Sequence, residues 1–286
     1  MKPVTAFGVL GLAVLAIAAP VVASAPHGRA THAKTQPRET GHTQAREATH
    51  APAPASSHTG GLHWTYTGET GPDHWGDVSE DFKTCKLGHQ QSPIDLGAAD
   101  LHGRLDVRTA YKPGQLIMLN NGHTIQANIP EGSILSSGIS RYKLLQIHFH
   151  TPSEETVYGI QYPMVAHFVH VDYSGNLAVL GVLFEEGARN PELDKIINAA
   201  PKEEAAAQPV AGVTFDPSRL LPAELSVYRY DGSLTTPPCS EGVRWHVAQA
   251  RVTASTTQIA AIHAIIGDNA RPIQPRNGRL LVAGSN

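Results

Sequence analysis

The nine residues Tyr142-Lys143-Leu144-Leu145-Gln146-Ile147-His148-Phe149-His150 constrain the fold more than any other stretch of this 286-residue chain. Their alternation is that of a β-strand, whose successive side chains point to opposite faces. Leu145, Ile147 and Phe149 then share one face, and Gln146, His148 and His150 the other. The apolar face needs a covering layer. The polar face carries two imidazoles about 6.6 Å apart along the strand, which can hold one metal ion if they lean together and a neighbouring strand supplies a third ligand. Residues 164–171 offer that strand: His167 and Val169 share a face and His170 points the other way, so at most one of these histidines joins the pair. Three neutral histidines would leave the fourth tetrahedral position of Zn2+ open, as in catalytic rather than structural zinc. Two cysteines are too few for a four-cysteine zinc module, whereas 16 histidines are many.

Such a strand needs partners, and residues 61–286 supply them. Short apolar or alternating segments recur between turn signals at 116–119, 124–129, 143–149, 164–171, 177–184, 227–230 and 243–252, with no second linker among them. One β-rich domain is the simplest reading. Helical signals are confined to Asn190-Pro191, opening a stretch to about Ala200, and to Ser255 with Gln258, a capping box for a helix closed by Gly267.

The amino-terminal part reads differently. Residues 1–25 have Lys2, an apolar run and the small-residue end Ala23-Ser24-Ala25, as in a secretory signal, with Ala16-Ile17-Ala18 as a second cleavage site. A retained membrane anchor is the weaker alternative, because Gly8, Gly11 and Pro20 interrupt the run. Residues 26–60 carry almost no large apolar side chain and read as a disordered tether. Its His27, His32, His42, His50 and His58 make it a solvated linker or a weak metal-collecting tail. The formal net charge is −3, and the leader and tether hold Lys2, Arg29, Lys34, Arg38 and Arg46 against only Glu39 and Glu47. The remainder is more acidic still, which argues against a nucleic-acid partner.

The sequence resembles the α-class carbonic anhydrases of the exported bacterial kind. The matching motifs, in the family's order, are His63-Trp64-x-Tyr66, Gln91-Ser92-Pro93-Ile94-Asp95, Asn120-Asn121-Gly122-His123 and Gln146-x-His148-Phe149-His150-Thr151-Pro152-Ser153-Glu154. They continue with His167-Phe168-Val169-His170, Leu177-Ala178-Val179-Leu180-Gly181, Ser233-Leu234-Thr235-Thr236-Pro237-Pro238-Cys239-Ser240-Glu241-Gly242 and Asn269-Ala270-Arg271-Pro272-Ile273-Gln274-Pro275.

The resemblance implies a mainly β (α+β) single domain around a large, twisted, mostly antiparallel central sheet with short peripheral helices. It implies reversible hydration of CO2 to bicarbonate and a proton, by hydroxide generated on Zn2+ held by His148, His150 and His167. A secondary esterase activity is compatible with the same nucleophile. In the family's pattern Thr235 orients the hydroxide and donates to Glu154. Val169, Val179, Leu234, Thr236, Val243 and Trp245 line the substrate site, and His123 shuttles the proton along a path lined by Tyr66, Asn121 and Gln126. Gln146 and the main chain at Asn269 would accept the outer N–H groups of His148 and His150. For His167 the family uses a Glu two residues earlier, supported by a His after the orienting Glu; here these positions are Val165 and Glu155, and Glu155 is the expected substitute. Cys85 and Cys239, the two thiols of an exported chain, default to a disulfide, and the resemblance supports the pairing. The expected protein is periplasmic or secreted, without a stable membrane span after signal cleavage, acts on a small molecule, and has an oligomeric state the sequence leaves open. A binding module that has lost catalysis and a metal-collecting protein that works through its tether are the alternatives.

Overall fold

The computed structural model describes residues 63–285. The expected leader 1–25 and the tether 26–60 with its five histidines lie outside the described residues. The strands are β1 (Leu101–Arg104), β2 (Val107–Ala110), β3 (Gly114–Asn120), β4 (Ile125–Asn128), β5 (Ile134–Ser137), β6 (Ser140–His150), β7 (Thr156–Val157), β8 (Ile160–Gln161), β9 (Met164–Val171), β10 (Leu177–Glu186), β11 (Ala205–Phe215), β12 (Val227–Ser233), β13 (Glu241–Ala248), β14 (Val252–Ala254) and β15 (Val282–Ser285). Four helices accompany them: α1 (Trp75–Val78), α2 (Thr84–Leu87), α3 (Pro191–Ala199) and α4 (Thr256–Ile266). Thirteen strands form one sheet with the path β1-β15-β12-β13-β10-β9-β6-β4-β3-β11, and β7 pairs with β8 apart from it. Pairing is antiparallel except where β1 meets β15 and where β10 meets β13 and β14.

The period of two sorts each central strand between two apolar layers. Met164, Ala166 and Phe168 of β9 join Leu180, Val182 and Phe184 of β10 and Ile147 and Phe149 of β6 in one layer. Helices α3 and α4 cover that layer through Leu193, Ile196, Ile259 and Ile262. Val165 and Val169 of β9, Val179 and Leu183 of β10, and Val243, Trp245 and Val247 of β13 form the other. His167 lies between Val165 and Val169 in the alternation and so emerges on this second face. The helix signals operate as the residues dictate. Asn190 accepts from the amides of Glu192 and Leu193, Ser255 and Gln258 close a capping box, and Gly267 ends α4 at φ +64°, where a Cβ would be strained.

Strict alternation fails at one place in β6. Leu145 does not join Ile147 and Phe149 on the packed face; it is 41% exposed. Leu144 pairs with His170 and Gln146 with Val169, so Leu145 is an extra residue, a β-bulge. Tyr142 and Leu144 thereby share the buried side with Ile147 and Phe149. The segment 243–252 is also two strands, β13 and β14, separated where the Gln249 amide turns to the Ser226 carbonyl. Cys85 of α2 is bonded to Cys239, tying the amino-terminal segment to the loop after β12. Among the described residues no helix is long and apolar enough to cross a membrane.

Candidate metal centre

Register brings the three histidines together. His148 of β6 lies directly opposite His167 of β9, and His150 is two residues further along the same face. Their ring centroids are 4.8 to 5.3 Å apart, and one nitrogen from each converges on a common point, all within 4.8 Å of one another. The outward nitrogens are engaged. His148 Nδ1 donates to Gln146 Oε1 at 2.9 Å, His150 Nδ1 to the Asn269 carbonyl at 2.8 Å, and His167 Nε2 to Glu155 Oε1 at 3.1 Å. His148 and His150 therefore offer Nε2, and His167 offers Nδ1. Burial, with His167 adding to it, holds the first two imidazoles well below their usual range, in the neutral form that has a lone pair to give. Burial acts the same way on His167, but Glu155 and Glu154 outweigh it and its pKa is raised. His150 Nε2 is buried with no hydrogen-bond partner, a costly state for a polar atom in a packed interior. An orphaned nitrogen at the convergence point of three imidazoles fits a divalent transition metal, and the all-histidine donor set fits zinc with a fourth position open.

Glu154 stands behind this point. Its Oε1 accepts the Arg271 amide at 2.9 Å, and its buried Oε2 lies 3.5 Å from His150 Nε2 and 3.8 Å from His167 Nδ1. Burial pushes the carboxyl up to about 7 and Glu155 adds to the rise, while His167, the Arg271 amide and the Thr235 hydroxyl favour its charged form. Arg271 was not singled out from the sequence, although Asn269-Ala270-Arg271-Pro272 was. Its guanidinium bonds Gln91 Oε1 and the Ser92 and Cys85 carbonyls, anchoring the segment whose amide holds Glu154. On the other flank Trp245 sets its ring edge-on to His167, with centroids 5.0 Å apart, and belongs with Val169, Val179 and Val243 to the apolar layer against which Leu234 packs. Thr235 is buried and Thr236 partly so.

His123 sits on the turn between β3 and β4. Its ring stacks on Trp64 at 3.7 Å between centroids, with Tyr66 at 6.5 Å and His63 at 5.7 Å. Trp64 is thus a support that residue-level reading did not identify beyond its motif. Burial, and then Glu154, push the Tyr66 phenol well above its ordinary range. Asn121 is exposed, and its Oδ1 accepts the amides of His123 and Thr124, fixing the turn. Gln126 faces His148 across the β4–β6 pair. Asn269 links the parts: its carbonyl holds His150 while its Nδ2 donates to the His123 carbonyl. His170 stays apart, buried, with Nε2 2.7 Å from the Tyr111 hydroxyl.

The model of the eukaryotic-type carbonic anhydrase family matches residues 70–285. The carbonic anhydrase of Nostoc sp. is 42% identical over 229 residues, which are 77% of this chain and 86% of that protein. Among solved structures, the α-carbonic anhydrase of Thermovibrio ammonificans in complex with the inhibitor sulfanilamide matches with a TM-score of 0.75 at 44% identity, over 78% of this chain and all of that one (100%). Dioscorin complexed with ascorbate has the same fold at 29% identity and a TM-score of 0.73, covering 78% of this chain and 98% of its own. Architecture alone therefore does not fix an activity. A family match over most of its length, together with a converging histidine triad, places this chain among the α-class carbonic anhydrases.

Proposed function

We propose that this enzyme performs the family's reaction, the reversible hydration of CO2, with Zn2+ held by His148 Nε2, His150 Nε2 and His167 Nδ1. The observation that carries the reading is the convergence of three imidazole nitrogens, one of them buried and unpartnered. A bound Zn2+ supplies the Lewis acidity that lets water give up a proton at moderate pH, chemistry for which carbonic anhydrases are the standard example.

The protein's own groups do the rest. An ionised carboxylate only accepts, so Thr235 spends its hydroxyl proton on Glu154 and keeps its oxygen to accept from the nucleophile, fixing that oxygen's orientation. The Thr235 amide faces the substrate oxygen, with Thr236 beside it. Val169, Val179, Leu234, Val243 and Trp245 offer CO2 an apolar wall and hold water away from it. His123 takes the released proton outward past Tyr66, Asn121 and Gln126 and passes it to buffer, a task suited to an imidazole. The same nucleophile attacks activated esters as a side activity.

The disulfide between Cys85 and Cys239 supports export, since such bonds persist in oxidising compartments. We assign residues 1–25 to a cleaved signal, 26–60 to a tether and 61–286 to the catalytic domain, acting in the periplasm or outside the cell. Metal analysis of the purified protein tests the reading: one zinc per chain is expected, lost on changing His148, His150 or His167 to Ala. Full zinc content in any of these variants would refute the site.

A further inference from the structure

Two consecutive carboxylates, Glu154 and Glu155, are both buried beside the histidine triad. On a strand they would point to opposite faces. They lie instead in the irregular segment before β7, and both reach His167: Glu154 Oε2 is 3.8 Å from Nδ1, and Glu155 Oε1 and Oε2 are 3.1 and 3.4 Å from Nε2. The outer nitrogens of His148 and His150 meet neutral acceptors, an amide oxygen and a main-chain carbonyl. His167 alone of the three meets a charged one. Its own strand offers nothing equivalent, because Val165, two residues earlier on the same face, is apolar and buried. Room for the carboxylate comes from β10, where Gly181 lies opposite His167; a Cβ there would stand 3.5 Å from Glu155 Oε1, and anything larger would crowd it. The Glu155 carbonyl is held in turn by the Ser153 hydroxyl at 2.7 Å.

We propose that Glu155 is the positioning carboxylate of the third metal ligand. It fixes His167 with the proton on Nε2 so that Nδ1 faces the metal, and its negative charge raises the donor strength of the ring. Outer partners of this kind orient a ligand and tune its basicity, and their loss typically weakens metal binding roughly 10- to 100-fold. The inference rests on the metal site proposed above.

The test is zinc affinity, measured by competition with a chromophoric chelator on the full chain, for wild type, Glu155→Gln, Glu155→Ala and the double variant Glu155→Ala with Val165→Glu. Thermal unfolding of each metal-free protein is followed alongside. Glu155→Gln is isosteric and remains the deciding variant if Glu155→Ala does not fold. The expected result is zinc binding weakened roughly 10- to 100-fold in Glu155→Ala and less in Glu155→Gln. Part of the affinity should return when Val165→Glu supplies a carboxylate from the neighbouring position on β9. A merely structural role would lower the unfolding temperature of the metal-free variants and leave the affinity of the folded protein unchanged. Wild type that binds zinc, with Glu155→Gln and Glu155→Ala binding equally tightly, overturns this inference alone. Wild type that binds no zinc overturns the metal site as well.

Discussion

His123 shows how much a residue's surroundings add to its type. Its sequence context, Asn120-Asn121-Gly122-His123, is turn chemistry, and the structure keeps that turn through Asn121. What the sequence could not display is the Trp64 ring stacked on the imidazole from nearly 60 positions away. If His123 moves protons, His123→Ala should slow hydration chiefly in weak buffer, keep its zinc, and recover with added imidazole. A loss that no buffer restores would show a different role. Trp64→Ala should act on the same step by loosening the ring, again without loss of zinc. The H-x-H pair was legible as a local alternation on one strand, whereas the pattern of the next strand left His167 and His170 open and only the family resemblance chose His167. Arg271 was not legible, because its contribution to Glu154 is a main-chain amide, which leaves no mark on residue type.

At the level of elements, the strands with strong alternation or dense apolar runs were legible and the edges were not. Strand β11 is largely exposed, carries Pro209 and Gly212, and lacks the period of two that burial of one face imposes. Helices α1 and α2 are single turns, too short for a period to show. The bulge at Leu145 was hidden for another reason. Both sides of a bulge alternate correctly, and only pairing with β9 reveals the extra residue. Its consequence is testable. Deleting Leu145 leaves Tyr142, Leu144, Ile147 and Phe149 in strict alternation on one face with the pairing to β9 unchanged, so zinc binding should be kept. Leu145→Ser, at an exposed position, should keep zinc and change stability by no more than about 0.5 kcal/mol. A deletion variant that folds but loses zinc would show that the bulge itself sets the site.

Over the whole molecule, two features govern when the fold survives. The Cys85–Cys239 bond closes a separation of 154 residues, for which a chain-entropy treatment gives on the order of 5 kcal/mol before strain. Reduction should therefore lower the unfolding temperature, with Cys85→Ser and Cys239→Ser equivalent to each other; unchanged unfolding under reductant would contradict this. The second feature is a pair of buried histidines away from the triad. His170, between Tyr111 and the Ala178 carbonyl, and His246, against Ser137, are each held down to about 3, mainly by burial, with Arg229 and Arg244 adding to the effect on His246. The unfolded chain takes up their protons below about 6.5 while the folded one does not. Stability is thus intact above that pH and falls as the pH drops from about 6.5 towards 3, by on the order of 1 kcal/mol per pH unit for each histidine. Urea unfolding from pH 7 to 4 should show this decline, shallower in His246→Leu.

The central claim is that the three converging histidines hold the metal on which hydration depends. Stopped-flow CO2 hydration, measured on the purified enzyme before chelation, after removal of metal and after return of one equivalent of Zn2+, tests it directly. The account predicts fast hydration, its loss with the metal and its recovery with zinc. Hydration that continues undiminished in demonstrably metal-free protein would contradict it.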